Sequence, residues 1–457
     1  MRSDQQQAIN RLAGTSATAF LCAVLCVYPL YIDKFSNLGV TKFTGCFTLF
    51  LLFLLWLVAC TAIGARAPRP RNANAGRDVT LWGVRAFAGT SLISTFTSLS
   101  PTASTWGLGG YYGGLMLVLF TVAGYWAVRS YLDLENLDFV FWVLGITTSI
   151  VAVLYVLNIF NIDLIGAYAD TAVVERAQFF STLGQKDFNG CFFSVALPIV
   201  FYQFLNAKDT RTAVWTGIPA AFGALALAVV DSEALALGIG AAVMVLVCHK
   251  NFTTRHLRRA ALISAAFFGW AAWMHYMRAS VYTQGGTALL AKLGAWQVAL
   301  PCMAASLLLW LVLFVLARKG IATQAPLYLP GRGITIAVLA VGALAFVLAN
   351  AMPNLPLPES LHNLLVFNDD WGTYRGVAWR AAFGTWADGS LLRKIVGIGP
   401  GMMHTAVAAW AGDAMTARMA TFYAAHNEYL EQLLTTGILG LAAWLLLVMV
   451  MFCSRPV

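Results

Sequence analysis

The amino-acid sequence predicts an all-α polytopic membrane protein, with about twelve transmembrane helices and one long outer loop before the last of them. Of its 457 residues 60% are hydrophobic and only 11% are charged, and the mean hydropathy is +0.73. Soluble domains are about 25% charged, so this composition excludes a water-facing globule. The apolar residues also fall into runs of roughly 20, the length at which a helix crosses a bilayer.

The apolar runs divide the chain into three parts. Residues 1–352 are expected to hold eleven spans, residues 353–427 the outer loop, and residues 428–457 the last span with a cytoplasmic C-terminus. The third run is the weakest because it is rich in Ser and Thr. Long runs with so few charges predict transmembrane helices. The runs lie near 14–32, 43–64, 79–98, 113–131, 138–158, 187–206, 213–230, 232–249, 259–276, 298–317, 334–352 and 428–452.

The charged residues between these runs predict the orientation. With the N-terminus in the cytoplasm, the inner turns are basic and the short outer turns are poor in Lys and Arg, which is the positive-inside bias. Both termini are therefore expected in the cytoplasm. The net charge of +9 does not indicate nucleic-acid binding, because the bases are scattered and form no basic stripe. The inner bases include Arg66, Lys208, Lys250, Arg255, Arg318, Arg332 and Arg455.

The outer loop at 353–427 is about 75 residues long, more than a plain connector needs. Within it, Trp379, Phe383 and Trp386 follow the i, i+4, i+7 spacing of one helix face. This pattern predicts an amphipathic helix with aromatic anchors that lies in the membrane interface. The Gly-Ile-Gly-Pro-Gly run at 397–401 is expected to end this helical region.

A second group of bases breaks the positive-inside pattern because it lies on the long outer loops. Such cations can bind lipid phosphates nonspecifically, or they can form a cluster that holds a pyrophosphate through bidentate, charge-assisted bonds. The sequence leaves both interpretations open. The group consists of Arg176, Arg375, Arg380, Arg393, Lys394 and Arg418.

His426 lies where the long outer loop enters the last span. A neutral imidazole at this position can accept a proton from a hydroxyl group at neutral pH, although a structural hydrogen-bonding role fits the same placement. His404, which follows the glycine-rich break, is a weaker second candidate.

Two carboxylate pairs, Asp231 with Glu233 and Asp369 with Asp370, could hold a divalent metal. Such groups more often cap helix starts, and Asp231 is well placed to cap the eighth span. We therefore predict no metal site and no cofactor. The sequence has neither a Walker loop nor a GxSxG elbow, so nucleotide hydrolysis and Ser-hydrolase chemistry lack support.

The segment HNEYLEQLLTTGILG resembles the signature of the O-antigen ligase and polymerase superfamily: His, Asn/Ser/Gln, nine residues, Gly, two residues, Gly. Here these residues are His426, Asn427, Gly437 and Gly440. Three further segments resemble the family in the right order. They are TASTWGLGGYYGGLML, ERAQFFSTLGQKDFNGCFFSVALP, and YRGVAWRAAFGTW followed by VGIGPGMM.

The resemblance implies a GT-C-like glycosyltransferase in the bacterial cytoplasmic membrane, with its active site on the outer face. It implies transfer or polymerisation of glycan from an undecaprenyl-pyrophosphate-type carrier onto a hydroxyl of a glycan, lipid or protein acceptor. The implied reaction inverts the anomeric carbon and needs no metal. Membrane lipids are the only other partners that we expect. No nucleic acid is expected to bind.

The resemblance also implies residue roles. Arg176 and Arg375 are expected to hold the donor pyrophosphate, and His426 is expected to activate the acceptor. The expected substrate-binding set is completed by Arg380, Lys186, Asn427 and Trp379.

The chain departs from the family at two places. The family's Ser-Arg-Gly element appears as Asp231-Ser232-Glu233, which removes one cation. Its Asn-Pro-Asn appears as Gln185-Lys186-Asp187, in which Lys186 can replace the missing charge. Both changes favour a donor glycan or an acceptor unlike those of typical O-antigen ligases.

Two other classes of protein stay open as alternatives. A lipid-linked-glycan flippase or secondary transporter would show ionisable residues deep within its spans, whereas here the polar residues concentrate on one side. A peptidoglycan-polymerase-like enzyme would use an outer-loop carboxylate such as Asp369 or Asp370.

Overall fold

The computed structural model describes residues 2–66, 79–108, 110, 112–281, 288–321, 324–352, 355–416 and 422–453. These residues are mainly helical, which confirms the all-α class, and a π-helical turn at Ala23–Val27 joins the first two helices. The α-helices of the described part are α1 (Arg2–Cys22), α2 (Tyr28–Leu30), α3 (Leu38–Ala62), α4 (Val79–Phe96), α5 (Pro101–Trp106), α6 (Leu115–Tyr131), α7 (Leu137–Ile159), α8 (Lys186–Asn206), α9 (Thr210–Val229), α10 (Glu233–Cys248), α11 (Thr254–Ser280), α12 (Ala288–Gly294), α13 (Trp296–Arg318), α14 (Tyr328–Ala351), α15 (Glu359–Leu365), α16 (Trp371–Ala387), α17 (Leu391–Val396), α18 (Met403–Thr416), α19 (Glu428–Thr435) and α20 (Gly437–Cys453).

Seven helical segments within the described ranges are long and apolar enough to cross a membrane, as expected for a polytopic membrane protein. Three shorter apolar helices accompany them, at Leu115–Tyr131, Glu233–Cys248 and Gly437–Val450. Every apolar run of the sequence falls on a helix. The seven segments are Asp4–Leu30, Phe35–Ala62, Leu134–Ile159, Lys186–Asn206, Thr210–Val229, Trp296–Arg318 and Tyr328–Ala351.

The last apolar run, 428–452, is not the single helix that hydropathy predicts. The amphipathic helix α19 ends at Thr435, and the apolar helix α20 begins at Gly437, whose φ is +70°. A left-handed residue cannot continue a right-handed helix, so the chain breaks there. The residues before Gly437 therefore lie outside the last apolar helix.

The chain forms two compact units. Unit 1 comprises Met1–Ala17, Cys46–Leu132 and Val341–Val457, and unit 2 comprises Thr18–Gly45 and Asp133–Ala340. The core of unit 2 lies among α7, α8, α9 and α11, where large apolar side chains are completely enclosed. These include Tyr155, Phe193, Leu197, Val229 and Met274.

One end of unit 2 is basic. Arg259 Nη1 donates to the carbonyls of Phe204 and Leu205 at 3.0 and 2.9 Å, and Arg255 donates to the carbonyl of Ala207. The last carbonyls of a helix have no partner within it, so these two arginines complete the C-terminus of α8. Because α8 runs from Lys186 to Asn206, Lys186 lies at the opposite end of the unit.

The described part of the loop at 353–427 folds into four helices, α15 to α18. The expected aromatic residues Trp379, Phe383 and Trp386 lie on helix α16. It also packs a small-residue face, which includes Ala381 and Gly384, against α18. This second face is what hydropathy did not indicate, since Gly and Ala carry little apolar signal.

Candidate functional site

The residues singled out from the sequence fall in both units. Unit 1 contains Arg375, Trp379, Arg380, His426 and Asn427, whereas unit 2 contains Arg176 and Lys186.

The turn that carries His426 is held by two side chains of α19. His426 itself is exposed and has a left-handed backbone, with φ +50°. The N–H of the preceding Ala425 donates to Glu431 Oε2 at 2.7 Å. The side chain of Asn427 caps α19, because its Oδ1 accepts from the N–H groups of Tyr429 and Leu430 at 3.0 and 3.3 Å. The imidazole is thus presented to its surroundings from a fixed turn.

His404, the weaker sequence candidate, contacts the same turn. Its Nδ1 lies 3.2 Å from the carbonyl oxygen of Phe422, and its ring stacks on Tyr423 with a centroid separation of 4.5 Å. Phe422 in turn meets the ring of His426 edge-on at 5.9 Å. Both histidines therefore contact Phe422, which only the folded chain could show.

Glu431 is the residue of this turn that the sequence reasoning missed. Burial raises the pKa of its carboxyl group to about 7, and the charge of Glu428 acts in the same direction. The hydrogen bond from Ala425 opposes this shift. A glutamate five residues after His426, in a short helix that leads into the last apolar run, was the available signal.

Gly437 of the histidine motif and Gly397 of the glycine-rich break have a packing role. A Cβ on Gly437 would lie 2.3 Å from the carbonyl oxygen of Ile395, and a Cβ on Gly397 would lie 2.2 Å from that of Thr435. Both glycines have positive φ, +70° and +83°. The backbones approach closely enough for Gly399 N–H to donate to the Thr435 carbonyl at 2.9 Å. The glycine-rich break is therefore docked against the end of α19.

Three serines complete this cluster in unit 1: Ser94, Ser98, and Ser104 of the TASTWGLGG segment. Ser104 Oγ donates to the carbonyl of Pro400 at 3.1 Å, and Ser98 Oγ donates to that of Ile398 at 2.7 Å. Ser94 Oγ donates to the Thr435 carbonyl and accepts from Gly399 N–H. Three segments that lie far apart in the sequence are thus in direct contact.

Arg375 follows an unusual stretch of backbone. Gly372, Thr373 and Tyr374 all have φ between +60° and +69°, and regular helix begins only after them. For residues with a Cβ this conformation is costly, and such strain concentrates at functional sites. The side chain of Arg375 is half-buried at the start of the regular part of α16.

One turn further on, Arg380 forms an ion pair with Asp369. It also lines a cavity of about 480 Å³ together with Trp410 and Asp413. Trp379 packs edge-on against Trp371, with ring centroids 5.1 Å apart. Its buried Nε1 has no hydrogen-bond partner among the residues that the structure describes.

In unit 2 the family-like loop forms a small hairpin. Strands β1 (Phe179–Phe180) and β2 (Gly184–Gln185) are antiparallel. The fully buried Asn189 fixes the hairpin, because its Nδ2 lies 3.0 to 3.1 Å from three hairpin carbonyls and its Oδ1 accepts from Ser181 Oγ. Asn189 thus holds the hairpin to the first turn of α8.

This hairpin borders a polar cavity of about 330 Å³ at the end of unit 2 opposite the basic end. The charged residues of its lining are Lys186, Asp231 and Arg278. Lys186 Nζ lies 3.9 Å from Asp231 Oδ2. The expected cap of α10 by Asp231 is wrong: Ser232 is the N-cap residue, and its hydroxyl donates to Asp187 at 3.0 Å. Asp231 faces the cavity instead.

Arg176 lies beside this cavity, on a short 3-10 helix (Val173–Gln178) whose Ala177 and Gln178 are part of the lining. Its guanidinium is 5.3 Å from the ring centre of Tyr168, a cation–π arrangement. The buried Nε of Arg176 has no hydrogen-bond partner in the described part of the chain, and the same is true of Arg278 Nε.

Arg278 was not among the sequence candidates. It follows the ninth apolar run directly, on the side expected to be poor in bases, and that position was the signal available. Of the other bases on the outer loops, Arg393 and Lys394 lie on α17, whereas Arg418 lies outside the described residues, as does the inner Arg455.

Within the described ranges, no group of three or more His, Cys, Asp or Glu side chains could hold a metal ion. Comparison of the chain with protein-family models, with curated proteins and with solved structures finds no match.

Proposed function

We propose that the protein is a membrane glycosyltransferase that moves or polymerises glycan from a polyprenyl-pyrophosphate carrier onto an acceptor hydroxyl. The observation that carries the proposal is the His426 turn. An exposed imidazole precedes the last apolar helix on a turn whose neighbouring backbone N–H groups donate to Asn427 and Glu431. Gly437 of its motif packs against the glycine-rich break. A fixed and accessible imidazole is what a general base requires.

The proposed reaction balances without a cofactor. His426 accepts the proton of the acceptor hydroxyl, and the oxygen attacks the anomeric carbon from the face opposite the pyrophosphate. The bond from that carbon to the pyrophosphate oxygen breaks, the configuration inverts, and polyprenyl pyrophosphate leaves with the electron pair. Neutralising its charge makes it a good leaving group. We assign this role to Arg176 and Arg375, each on its own sequence evidence.

We further propose that the chain has twelve spans, that both termini are cytoplasmic, and that the GT-C-like active site faces outward from a bacterial cytoplasmic membrane. Support comes from unit 2, where the cavity and the arginines that complete α8 lie at opposite ends of that helix. The positive-inside bias assigns the basic end to the cytoplasm. Cysteine labelling that found residue 250 outside would contradict this orientation.

The test is a transfer assay with purified protein and a lipid-linked glycan, with and without candidate acceptors. A ladder of products would indicate a polymerase, and a single transfer product a ligase. Excess EDTA should leave the rate unchanged. Loss of activity that Mg²⁺ or Mn²⁺ restores would refute the metal-independent mechanism, and carrier movement without glycosidic bond formation would favour the flippase or transporter alternative.

The peptidoglycan-polymerase-like alternative is separated by the same assay. It requires an outer-loop carboxylate, and Asp369 is engaged by Arg380. Activity that disappears in Asp370→Asn but persists in His426→Ala would favour this alternative.

A further inference from the structure

We infer that the unit 2 cavity lined by Lys186, Asp231 and Arg278 binds a phosphate or diphosphate group, and that Arg278 is the residue that grips it. This inference rests on the proposed function only where it names a polyprenyl diphosphate as the source of that group.

The first argument is the buried Nε of Arg278, which has no hydrogen-bond partner among the described residues. In folded proteins almost every buried polar group has a hydrogen-bond partner, so each exception needs an explanation. Within the described ranges only three buried side-chain atoms lack a partner, and two of them are Arg176 Nε and Arg278 Nε. One of these arginines lines the cavity and the other lies beside it. A planar donor left without an acceptor suits a phosphate oxygen.

The second argument is the balance of charge. Two cations and one carboxylate line the cavity, so the lining is positive overall. The first turn of α8 also begins here at Lys186, and the free N–H groups of a helix N-terminus favour anions. The other carboxylate close by, Asp187, accepts a hydrogen bond from Ser232.

A purely structural role for Arg278 explains fewer of these observations. It lies in the last turn of α11, where a cation interacts favourably with the helix dipole. That interaction needs no hydrogen bond from Nε and no cavity. Attraction between Asp231 and Arg278 also helps to hold the guanidinium here, but Asp231 is shared with Lys186 at 3.9 Å.

The cavity has room and shape for such a group. Its volume of about 330 Å³ is at the lower end of the range of small-molecule sites. Tyr155 and Phe180 form one wall, with stacked rings 4.7 Å apart, and Gln178 and Gln185 add amide groups. Arg278 brings a second cation to this cavity from another helix, α11.

The test measures binding rather than transfer, so that it is independent of catalysis. Farnesyl diphosphate is titrated calorimetrically into the purified full-length protein in a neutral detergent. Loss of a hydrogen bond to a charged group should make Arg278→Ala bind roughly 10- to 100-fold more weakly. Arg278→Lys keeps the charge but loses the fork and should recover only part of the affinity. The exposed Lys292 of the same unit provides the control, and Lys292→Ala should bind like wild type.

Asp231→Asn gives a test of opposite sign. Removal of a carboxylate from an anion site should tighten diphosphate binding by roughly fivefold. If the cavity instead binds sugar hydroxyls or a cation, Asp231→Asn should weaken binding. Inorganic pyrophosphate and phosphatidylglycerol vesicles, added as competitors, distinguish a free phosphate from a lipid headgroup as the source.

Two results would overturn the inference: wild-type affinity in Arg278→Ala, or weaker diphosphate binding in Asp231→Asn. Unchanged melting temperatures would show that the variants are folded. Failure of the proposed function is distinguishable, because Arg278-dependent diphosphate binding without any glycan transfer would support this site and contradict the enzyme.

Discussion

Replacement of Glu431 by Gln should change how the stability of the protein depends on pH. The carboxyl group is buried, accepts the Ala425 N–H at 2.7 Å, and has a pKa of about 7 instead of the usual 4.5. A raised pKa in the folded state means that the folded protein binds this proton more tightly than the unfolded chain does. The stabilisation that Glu431 contributes is therefore complete below about pH 4.5 and is lost as the pH rises to about 7.

The size of the effect follows from that pKa difference. At 1.36 kcal/mol for each pKa unit, ionisation of Glu431 costs up to about 3 kcal/mol of folding free energy above pH 7. Glu431→Gln keeps an oxygen that can accept from Ala425 but has no charge to develop. The variant should therefore be the more stable protein at pH 8, and its advantage should shrink towards pH 5.

The assay is thermal unfolding of the purified protein in detergent, followed by tryptophan fluorescence between pH 5 and 8. The quantity to compare is the difference in melting temperature between wild type and Glu431→Gln at each pH. Glu359→Gln is the control, since this carboxylate is exposed on α15 of the same unit. If the difference does not vary with pH, Glu431 does not titrate in this range and the argument from burial is wrong.

Three further variants test the packing and charge assignments. Asn189→Ala leaves buried hairpin carbonyls unsatisfied and should lower the free energy of unfolding by about 2–4 kcal/mol in denaturant titrations; a change below 1 kcal/mol would contradict the role given to the side chain. Gly437→Ala should lower the melting temperature because its Cβ meets a carbonyl oxygen, whereas Gly342→Ala, in open space, should not. Arg375→Lys should still impair transfer because the bidentate fork is lost. Arg393→Lys, at an exposed arginine, is the control and should stay active. Equal transfer rates in Arg375→Lys and wild type would show that Arg375 is not part of the site.

Hydropathy predicts the helices of this chain because the bilayer requires long apolar runs and satisfied backbones. It misses the break at Gly437, since an apolar run looks the same on both sides of a left-handed residue. It also misses the second packing face of α16, where Ala381 and Gly384 contribute shape rather than hydrophobicity. These features depend on neighbours that are distant in the sequence.

The residues of the candidate site also divide into those that the sequence indicates and those that only the structure reveals. Charges on unexpected loops and the spacing after His426 indicated Arg176, Arg375 and His426. They did not indicate Arg278 or Glu431, because the importance of these two depends on what surrounds them. Arg278 matters through the cavity that it shares with Asp231, and Glu431 through a backbone N–H on the preceding turn.

The most direct test of the central claim is the single-turnover rate of glycan transfer by His426→Ala, measured against wild type. A positioned general base contributes about 10²–10⁴-fold, so the rate should fall by that factor while the melting temperature and diphosphate binding stay near wild type. His362→Ala, an exposed histidine of the same unit, should transfer normally. Transfer at the wild-type rate by His426→Ala would contradict the account.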